Sequence, residues 1–321
     1  MLPKECAFFL GANSRRGFVS LFEGVAAEDP ERDVYMIKGG PGCGKSTLIG
    51  RVCRSLAADG ELVEAIYCTS DARSLDGMVL NGRRLALLDA TAPHALEPAF
   101  PGVRGDYLTL PGLSDRQALK AELPALLTLS AAAKEHYAQA YLLISASAQV
   151  DEHITQSIRP YFAADRLRRR AKGIIAREMP RQSDRRGVLK KRFLDGITPD
   201  GAVRLTPTID LLCTRVYDLF DSHGFAPLLL QPLLEGALAR GYDVYACYCP
   251  KDPDKLLHLL IPALSLGFVT SCPAQYYAGS PYRRIRVDAY VDCGPRKQLR
   301  GHARLLSRLS ESLIADAAAE I

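Results

Sequence analysis

Tryptophan is absent from this sequence of 321 residues, and methionine occurs only four times. No apolar run reaches the ~20 residues that a helix needs to cross a bilayer. The first residues contain a short apolar patch without an A-x-A-like cleavage site behind it, which argues against a signal peptide. We therefore expect a cytoplasmic protein that does not contact a membrane.

Paired cysteine motifs are also missing. The nine cysteines include no CxxC pair, and their odd number favours reduced thiols that act as small core residues. Cys247 and Cys249 lie in the apparent strand YDVYACYC, where alternate residues share a face. A thiolate metal site is not expected. The N-K-x-D guanine motif is absent too, so the sequence leaves the choice between ATP and GTP open.

Charge is unevenly distributed along the chain. The net charge is +5, but the segment from Arg159 to Arg192 holds thirteen Lys or Arg against three acids, so the remaining chain carries −5. This segment is the place where an acidic partner such as nucleic acid could bind. Its aromatics are limited to Tyr161, Phe162 and the adjacent Phe193, so stacking on bases is poorly supported.

The hydrophobic pattern predicts an α/β fold with a mostly parallel sheet of the P-loop NTPase type. Asp33 to Lys38 is typical of a buried strand, and an amphipathic helix between the glycine-rich loop and Gly60 follows it. Leu62 to Cys68 and Leu85 to Leu88 are predicted to be further strands. From Ser114 the composition indicates a long helix or a helical hairpin, with Pro124 in a first turn or at a kink.

The second half of the chain resembles the first. Ala58 onward aligns with Ala239 onward, 181 residues later, over 37 positions without a gap, and Leu10 to Leu21 resembles Leu194 to Leu205 at a shift of 184. We therefore expect a duplicated fold with helical segments after each half. The predicted division is a nucleotide-binding domain over residues 1–112, a helical basic segment over 113–192, and a second half over 193–321 with a C-terminal helix.

One motif carries defined chemistry. The sequence KGGPGCGKST fits G-x-x-x-x-G-K-[ST] between a strand and an amphipathic helix. Its residues form the predicted phosphate site: Gly39, Gly40, Pro41, Gly42, Cys43, Gly44, Lys45, Ser46 and Thr47. Backbone N–H groups of such a loop surround phosphate oxygens, and the helix N-terminus adds partial positive charge. We expect Lys45 to neutralise the β- and γ-phosphates of ATP and Ser46 to ligate Mg²⁺.

Acids and a histidine near the loop are candidates for metal binding and catalysis. Asp89 ends the apolar strand LALLD and is predicted to hold Mg²⁺ together with Ser46. His94, shortly after it, could orient the attacking water. Asp71 recurs as Asp252 in the second half, which favours a structural turn, whereas Asp76 becomes Leu257 and is the better candidate for chemistry.

These motifs resemble a family of uncharacterised bacterial P-loop proteins that are generally labelled ATPases. The resemblance rests on Gly17-Phe18-Val19, the loop Gly39 to Ser46, the turn with Asp71, Ser74 and Asp76, the strand end DATAPH from Asp89 to His94, and EPAFPG. It extends over the whole chain and is strongest over 11–112. It implies two tandem P-loop-type halves and ATP-linked activity, with no known substrate.

The second half departs from that pattern. At the 181 shift Gly39 meets Phe220, Lys45 meets Ala226, and Asp89 meets Thr270, so the second half should fold without binding Mg-ATP. The favoured function is Mg-dependent ATP hydrolysis coupled to a conformational change, with a protein partner or a homodimer. A small-molecule kinase, a nucleic-acid-associated NTPase and a regulatory nucleotide binder are the alternatives.

Overall fold

A computed structural model describes residues 5–98, 100–110, 115–292 and 296–321. The first half contains eight strands: β1 (Glu5–Phe9), β2 (Gly11–Ser14), β3 (Gly17–Ser20), β4 (Asp33–Lys38), β5 (Val63–Tyr67), β6 (Leu75–Leu80), β7 (Leu85–Asp89) and β8 (Tyr107–Thr109). Helices α1 (Phe22–Glu28) and α2 (Lys45–Ala58) lie between them. Six strands form a sheet in the order β1-β5-β6-β7-β4-β8, and β2 and β3 form a separate hairpin.

Three helices follow this sheet: α3 (Arg116–Ala121), α4 (Leu123–Ile158) and α5 (Ala164–Glu178). The 36 residues of α4 span about 54 Å at 1.5 Å per residue. Pro124 lies in its first turn, where a missing N–H costs no helical hydrogen bond, as the sequence predicts. The predicted boundary between residues 112 and 113 lies outside the described residues.

The second half repeats the first element by element. Its strands are β9 (Leu189–Arg192), β10 (Asp195–Thr198), β11 (Gly201–Arg204), β12 (Arg215–Phe220), β13 (Val244–Tyr248), β14 (Leu256–Ile261), β15 (Leu266–Ser271) and β16 (Arg283–Arg286). Its helices are α6 (Thr206–Leu212), α7 (Pro227–Ala239) and the C-terminal α8 (Arg296–Glu320). The sheet order is β9-β13-β14-β15-β12-β16, which matches the first sheet strand for strand.

Each sheet is mixed, with five strands in one direction and one against them. In the first sheet β6 is antiparallel to both β5 and β7, and β14 occupies the same position in the second. The coarse α/β class with mostly parallel strands is therefore confirmed. The antiparallel strand is absent from the sequence prediction, because the first leucine of LDGMVL is followed by an aspartate and by a glycine, which is unusual in a strand interior.

The shift between equivalent residues of the two halves decreases along the chain. Strands β5 and β6 correspond to β13 and β14 at a shift of 181, and the hairpin β2–β3 corresponds to β10–β11 at 184. Asp33 of β4 pairs with Leu85, and Arg215 of β12 pairs with Leu266. Leu266 follows Leu85 by 181 positions, but Arg215 follows Asp33 by 182, so residues of β4 and β12 are equivalent at a shift of 182. Gly39 is therefore equivalent to Asp221 and not to Phe220, which corrects the ungapped alignment at this loop.

The two halves share a hydrophobic core around equivalent residues. Phe9 and Phe193, which are 184 positions apart, exchange two backbone hydrogen bonds of 2.9 Å and are both fully buried. On either side, α6 packs on β1 and α1 packs on β9, so each half covers the other's first strand. β9 belongs to the second sheet, so that sheet begins four residues before the predicted boundary at 193.

Helices α4 and α8 run antiparallel along both halves. His136 Nδ1 lies 2.6 Å from Glu320, and the Ser147 hydroxyl lies 2.8 Å from that of Ser310. α5 packs its apolar side on α7. Among the described residues, no helix combines the length and apolar character needed to cross a membrane.

Candidate nucleotide-binding site

The glycine-rich loop connects the end of β4 to the first turn of α2. Gly42 and Gly44 adopt φ values of +76° and +93°, a region that side-chain-bearing residues rarely occupy. Gly44 is also the N-cap of α2, and no side chain caps this helix. The first N–H groups of an α-helix lack intrahelical acceptors, so this turn offers donors and the positive end of the helix dipole to an anion.

Lys45 folds back over the loop. Its Nζ donates to the carbonyl oxygens of Gly39 and Gly40 at 2.6 and 3.0 Å, and it lies 3.5 Å from Asp89 Oδ2. The side chains of Lys45 and Asp89 are 13% and 11% exposed, so the ion pair is largely shielded from water. The structure thus brings together a lysine and an acid that are 44 positions apart in the sequence.

Thr91 fastens the loop to the end of β7. Its hydroxyl donates to the Gly39 carbonyl at 2.9 Å, and its backbone N–H donates to Asp89 Oδ1 at 2.8 Å. Asp89 therefore bonds Thr91 with one oxygen and faces Lys45 with the other. Sequence reasoning missed Thr91, although its position in DATAPH, directly beyond the acid, could have indicated it.

Ser46 and Asp76 are linked through the start of β6. The N–H of Leu75 donates to Ser46 Oγ at 2.9 Å, which joins the first turn of α2 to the strand that carries Asp76. Asp76 lies at a β-bulge, because Ile66 pairs with Gly77 while the next residue, Tyr67, pairs with Leu75. Asp76 and Asp89 are both buried, but Asp89 faces Lys45 whereas Asp76 faces His94.

Asp76 and His94, which the sequence leaves as alternatives, form a pair. His94 Nε2 lies 3.3 Å from Asp76 Oδ2, and both residues are 7% exposed. The imidazole packs against the rings of Phe22 and Phe18, with centroids 4.4 and 5.0 Å away. Its Nδ1 is buried without a hydrogen-bond partner among the described residues.

Cys68 lies beside this pair and is another residue that the sequence analysis does not single out. Burial, together with the charge of Asp76, raises the pKa of its thiol to about 12. It is therefore a neutral thiol at physiological pH and not a nucleophile. Nothing in the sequence distinguishes it from the other scattered cysteines.

The remaining predicted residues lie outside the side-chain pairs described above. Asp71 accepts bonds from the Ser74 hydroxyl and the Arg73 N–H, and these bonds lower its pKa, which fits its interpretation as a turn residue. Thr47 is exposed on the first turn of α2, and Cys43 is half-buried beside Gly39.

The oxygen donors of this edge suit Mg²⁺. The described residues contain no group of three or more His, Cys, Asp or Glu that could hold a metal by themselves. Mg²⁺ usually takes only one or two protein ligands and completes its shell with waters and phosphate oxygens. The Ser46 hydroxyl and the Asp89 carboxylate are oxygen ligands of that kind. The donor set fits the ion.

The equivalent loop of the second half is closed by its own carboxylate. Asp221, in the place of Gly39, accepts bonds from the N–H groups of His223 at 3.1 Å and Ala226 at 2.5 Å. Burial raises the pKa of Asp221, although these donors oppose the shift. The N–H groups of this loop are therefore already bonded to an internal carboxyl group where an incoming phosphate would bind, and the loop also lacks the lysine.

The basic segment is partly engaged within the protein. Arg181, Arg185 and Arg186 form ion pairs with Asp184, Asp243 and Glu235, and Arg192 is completely buried against Glu28 and Glu64. The first three arginines keep 60–68% of their side chains exposed. Burial therefore removes Arg192 from the predicted acidic-partner surface, whereas these arginines stay on it together with the exposed residues of α5: Arg166, Arg168, Arg169, Arg170 and Lys172.

One family model matches part of the chain. It describes the N-terminal region of nephrocystin 3 and covers residues 20–92. The matched segment runs from the end of β3 through the glycine-rich loop to the residue before Pro93, less than a quarter of the chain. No curated protein and no solved structure matches the sequence. The resemblance to tandem bacterial P-loop ATPases therefore remains a hypothesis.

Proposed function

We propose that this protein is a P-loop NTPase with tandem halves that binds Mg-ATP at the loop from Gly39 to Thr47 and hydrolyses it. The proposal rests chiefly on the Lys45–Asp89 pair of 3.5 Å at the mouth of an uncapped helix. A cation and an acid that meet over free N–H groups are the arrangement that phosphoryl transfer requires, since its catalysis is mainly positioning and charge stabilisation.

Each residue has a distinct role in this proposal. The loop N–H groups and Lys45 would bind the β- and γ-phosphates, with Lys45 exchanging its two carbonyl acceptors for phosphate oxygens. Ser46 and Asp89 would hold Mg²⁺, whose chemistry here is to neutralise phosphate charge. Asp76 would orient His94 through Nε2, leaving Nδ1 as an acceptor for the proton of the attacking water.

Helix α4 would transmit the nucleotide state. Tyr137 on α4 donates to the Ser70 hydroxyl at 2.6 Å. Ser70 precedes the turn before Leu75, and the N–H of Leu75 donates to Ser46 Oγ. A shift of Ser46 on nucleotide binding would therefore reach α4 through a continuous set of bonds. A partner that contacts α4 differently in the two states would sense it.

The decisive measurement compares nucleotide binding and phosphate release by the wild type and Lys45→Ala. We expect Lys45→Ala to lose both, whereas Lys134→Ala, at an exposed lysine on α4, should retain both. Asp76→Asn and His94→Gln should bind ATP normally and release phosphate roughly 10²-fold more slowly. Equal phosphate release by the wild type and Lys45→Ala would refute the enzymatic proposal.

A small-molecule kinase is the second candidate, because the same Asp76–His94 pair could take a proton from an acceptor hydroxyl instead of water. ADP formation that requires an added metabolite, and stops with His94→Gln, would favour it. Stimulation by DNA or RNA, lost when the exposed arginines of α5 become glutamine, would instead support a nucleic-acid-associated NTPase. Tight ATP binding without turnover under all these conditions would indicate a regulatory binder.

A further inference from the structure

A large cavity opens in the second half, away from the glycine-rich loop. Its volume is about 890 Å³, within the range of small-molecule sites. It lies at the carboxyl ends of β12 and β16, between the loop that follows β12 and helix α8. This is the edge of the second sheet that corresponds to the candidate nucleotide site of the first.

The wall formed by the loop is fixed by hydrogen bonds. Asp221 holds the N–H groups of His223 and Ala226, and Thr155 of α4 donates its hydroxyl to the His223 carbonyl at 2.7 Å. The N–H of Ser222 donates to Asp288 at 2.9 Å. A ligand would therefore meet a cavity that is already formed, and a triphosphate could not be wrapped by this loop.

Three arginines line the cavity without neutralising partners. The side chains of Arg286, Arg304 and Arg308 are exposed and form neither an ion pair nor a hydrogen bond within the described ranges. The fork of donors on each guanidinium matches the oxygens of a phosphate. Three arginine side chains without such partners on the lining of one cavity favour an anionic group on its ligand.

The rest of the lining suits the body of such a molecule. Tyr161 and Phe220 supply aromatic surface, and Phe220 stacks on Tyr276 with centroids 5.8 Å apart. Asp292 and Glu311 are carboxylates that can accept hydrogen bonds from hydroxyl or amino groups. His223 also lines the cavity, with its buried Nδ1 unpartnered among the residues described.

We propose that this cavity is a second small-molecule site for a phosphomonoester with a hydroxylated, aromatic body, of which a nucleoside monophosphate is the simplest type. The arginines bind its phosphate, the carboxylates accept bonds from its hydroxyl or amino groups, and the aromatic wall contacts its ring. The second half thus lacks a loop that could surround a triphosphate and keeps a binding site at the same edge of its sheet.

The test uses the full chain with Lys45→Ala, so that binding at the glycine-rich loop does not contribute. AMP is titrated calorimetrically. The matched probes are adenosine, which lacks the phosphate, and inorganic phosphate, which lacks the nucleoside. We expect AMP to bind at least 10-fold more tightly than either. Arg304→Gln with Arg308→Gln should weaken AMP binding at least 10-fold, whereas Arg168→Gln with Arg169→Gln on α5 should not change it.

Ser307→Trp, which places a large side chain in the cavity, should abolish AMP binding without changing the melting temperature. If that variant melts early, the arginine pair decides the question. AMP binding by the wild type that disappears in Lys45→Ala would overturn the proposal, as would unchanged binding after loss of both arginines. Equal affinity for AMP and inorganic phosphate would overturn the role of the aromatic wall.

Discussion

Replacing Arg192 by methionine tests how the two halves are joined. The Arg192 side chain is fully buried, with its Nη2 3.0 Å from Glu28 Oε2 and its Nε bonded to Glu64 Oε1. Glu28 and Glu64 belong to the first half, and their side chains are 4% and 1% exposed. Methionine preserves most of the volume and removes the charge, so Glu64 would remain buried without its main cation, while Glu28 would keep its ion pair with Arg32.

The expected loss is large because removing one partner of a buried pair leaves an uncompensated charge, at a cost of about 3–5 kcal/mol. Urea unfolding should show this decrease in the free energy of unfolding. Arg185→Met is the matched control, because the pair of Arg185 and Asp243 is 63% and 44% exposed. Its loss should stay below about 1 kcal/mol.

The destabilisation should also depend on pH. Burial alone would raise the pKa of Glu64, but the adjacent charge of Arg192 holds it below its ordinary value. In the wild type this stabilisation is present above the unfolded-state pKa and is lost as the pH falls through the lower native value. In Arg192→Met only the charge of Lys190 and the hydrogen bond of Tyr245 still oppose the effect of burial on the pKa of Glu64. The native state therefore takes up a proton at higher pH, and the difference between the proteins shrinks on acidification. Adding Glu64→Gln should recover part of the loss. A cost no larger than that of Arg185→Met, or one independent of pH, would refute this account.

Three further predictions concern the backbone and the two loops. Gly105→Ala should lower the free energy of unfolding by more than ~2 kcal/mol, because Gly105 has φ +90° and a Cβ would lie 1.9 Å from the Val34 carbonyl oxygen. Gly173→Ala in α5 is the control and should raise the free energy of unfolding by ~0.5–1 kcal/mol, since a Cβ there would meet no other atom. Thermal unfolding would measure both, and equal effects would contradict the stated conformations. Asp221→Ala should cost about 2–4 kcal/mol in urea unfolding, because two N–H groups lose their acceptor; a neutral effect would exclude its role as an internal acceptor. Asp89→Asn should weaken ATP binding about 10-fold with Mg²⁺ and little without it, measured calorimetrically; the same loss in both conditions would place Asp89 outside the metal site.

Local patterns made the loop and the repeat predictable. The motif from Gly39 to Ser46 specifies its own turn, and the shifts of 181 and 184 reproduce the hairpins and strands of both halves. Contacts between distant segments were not accessible in this way. The pairing of Asp76 with His94 depends on β6, whose sequence lacks clear alternation, so each residue was seen only as a separate candidate. Asp221 was missed for a different reason, since a one-residue change of register conceals its equivalence to Gly39.

The contrast between the two loops gives a structural role to a second half that lacks the nucleotide-binding residues. Ser70 and Lys251 occupy equivalent positions, yet Ser70 holds α4 through a single bond from Tyr137, whereas Lys251 contacts Asp151, Ser147 and Ser310 together. The second half is therefore fastened to both α4 and α8, and its loop is closed by Asp221. The first half also bonds α4, through Tyr141 to Asn13 and through the ion pair of Arg15 with Glu152, but no carboxylate closes its loop. Nucleotide binding at the first loop would therefore act on one half of a molecule whose other loop is already held in place.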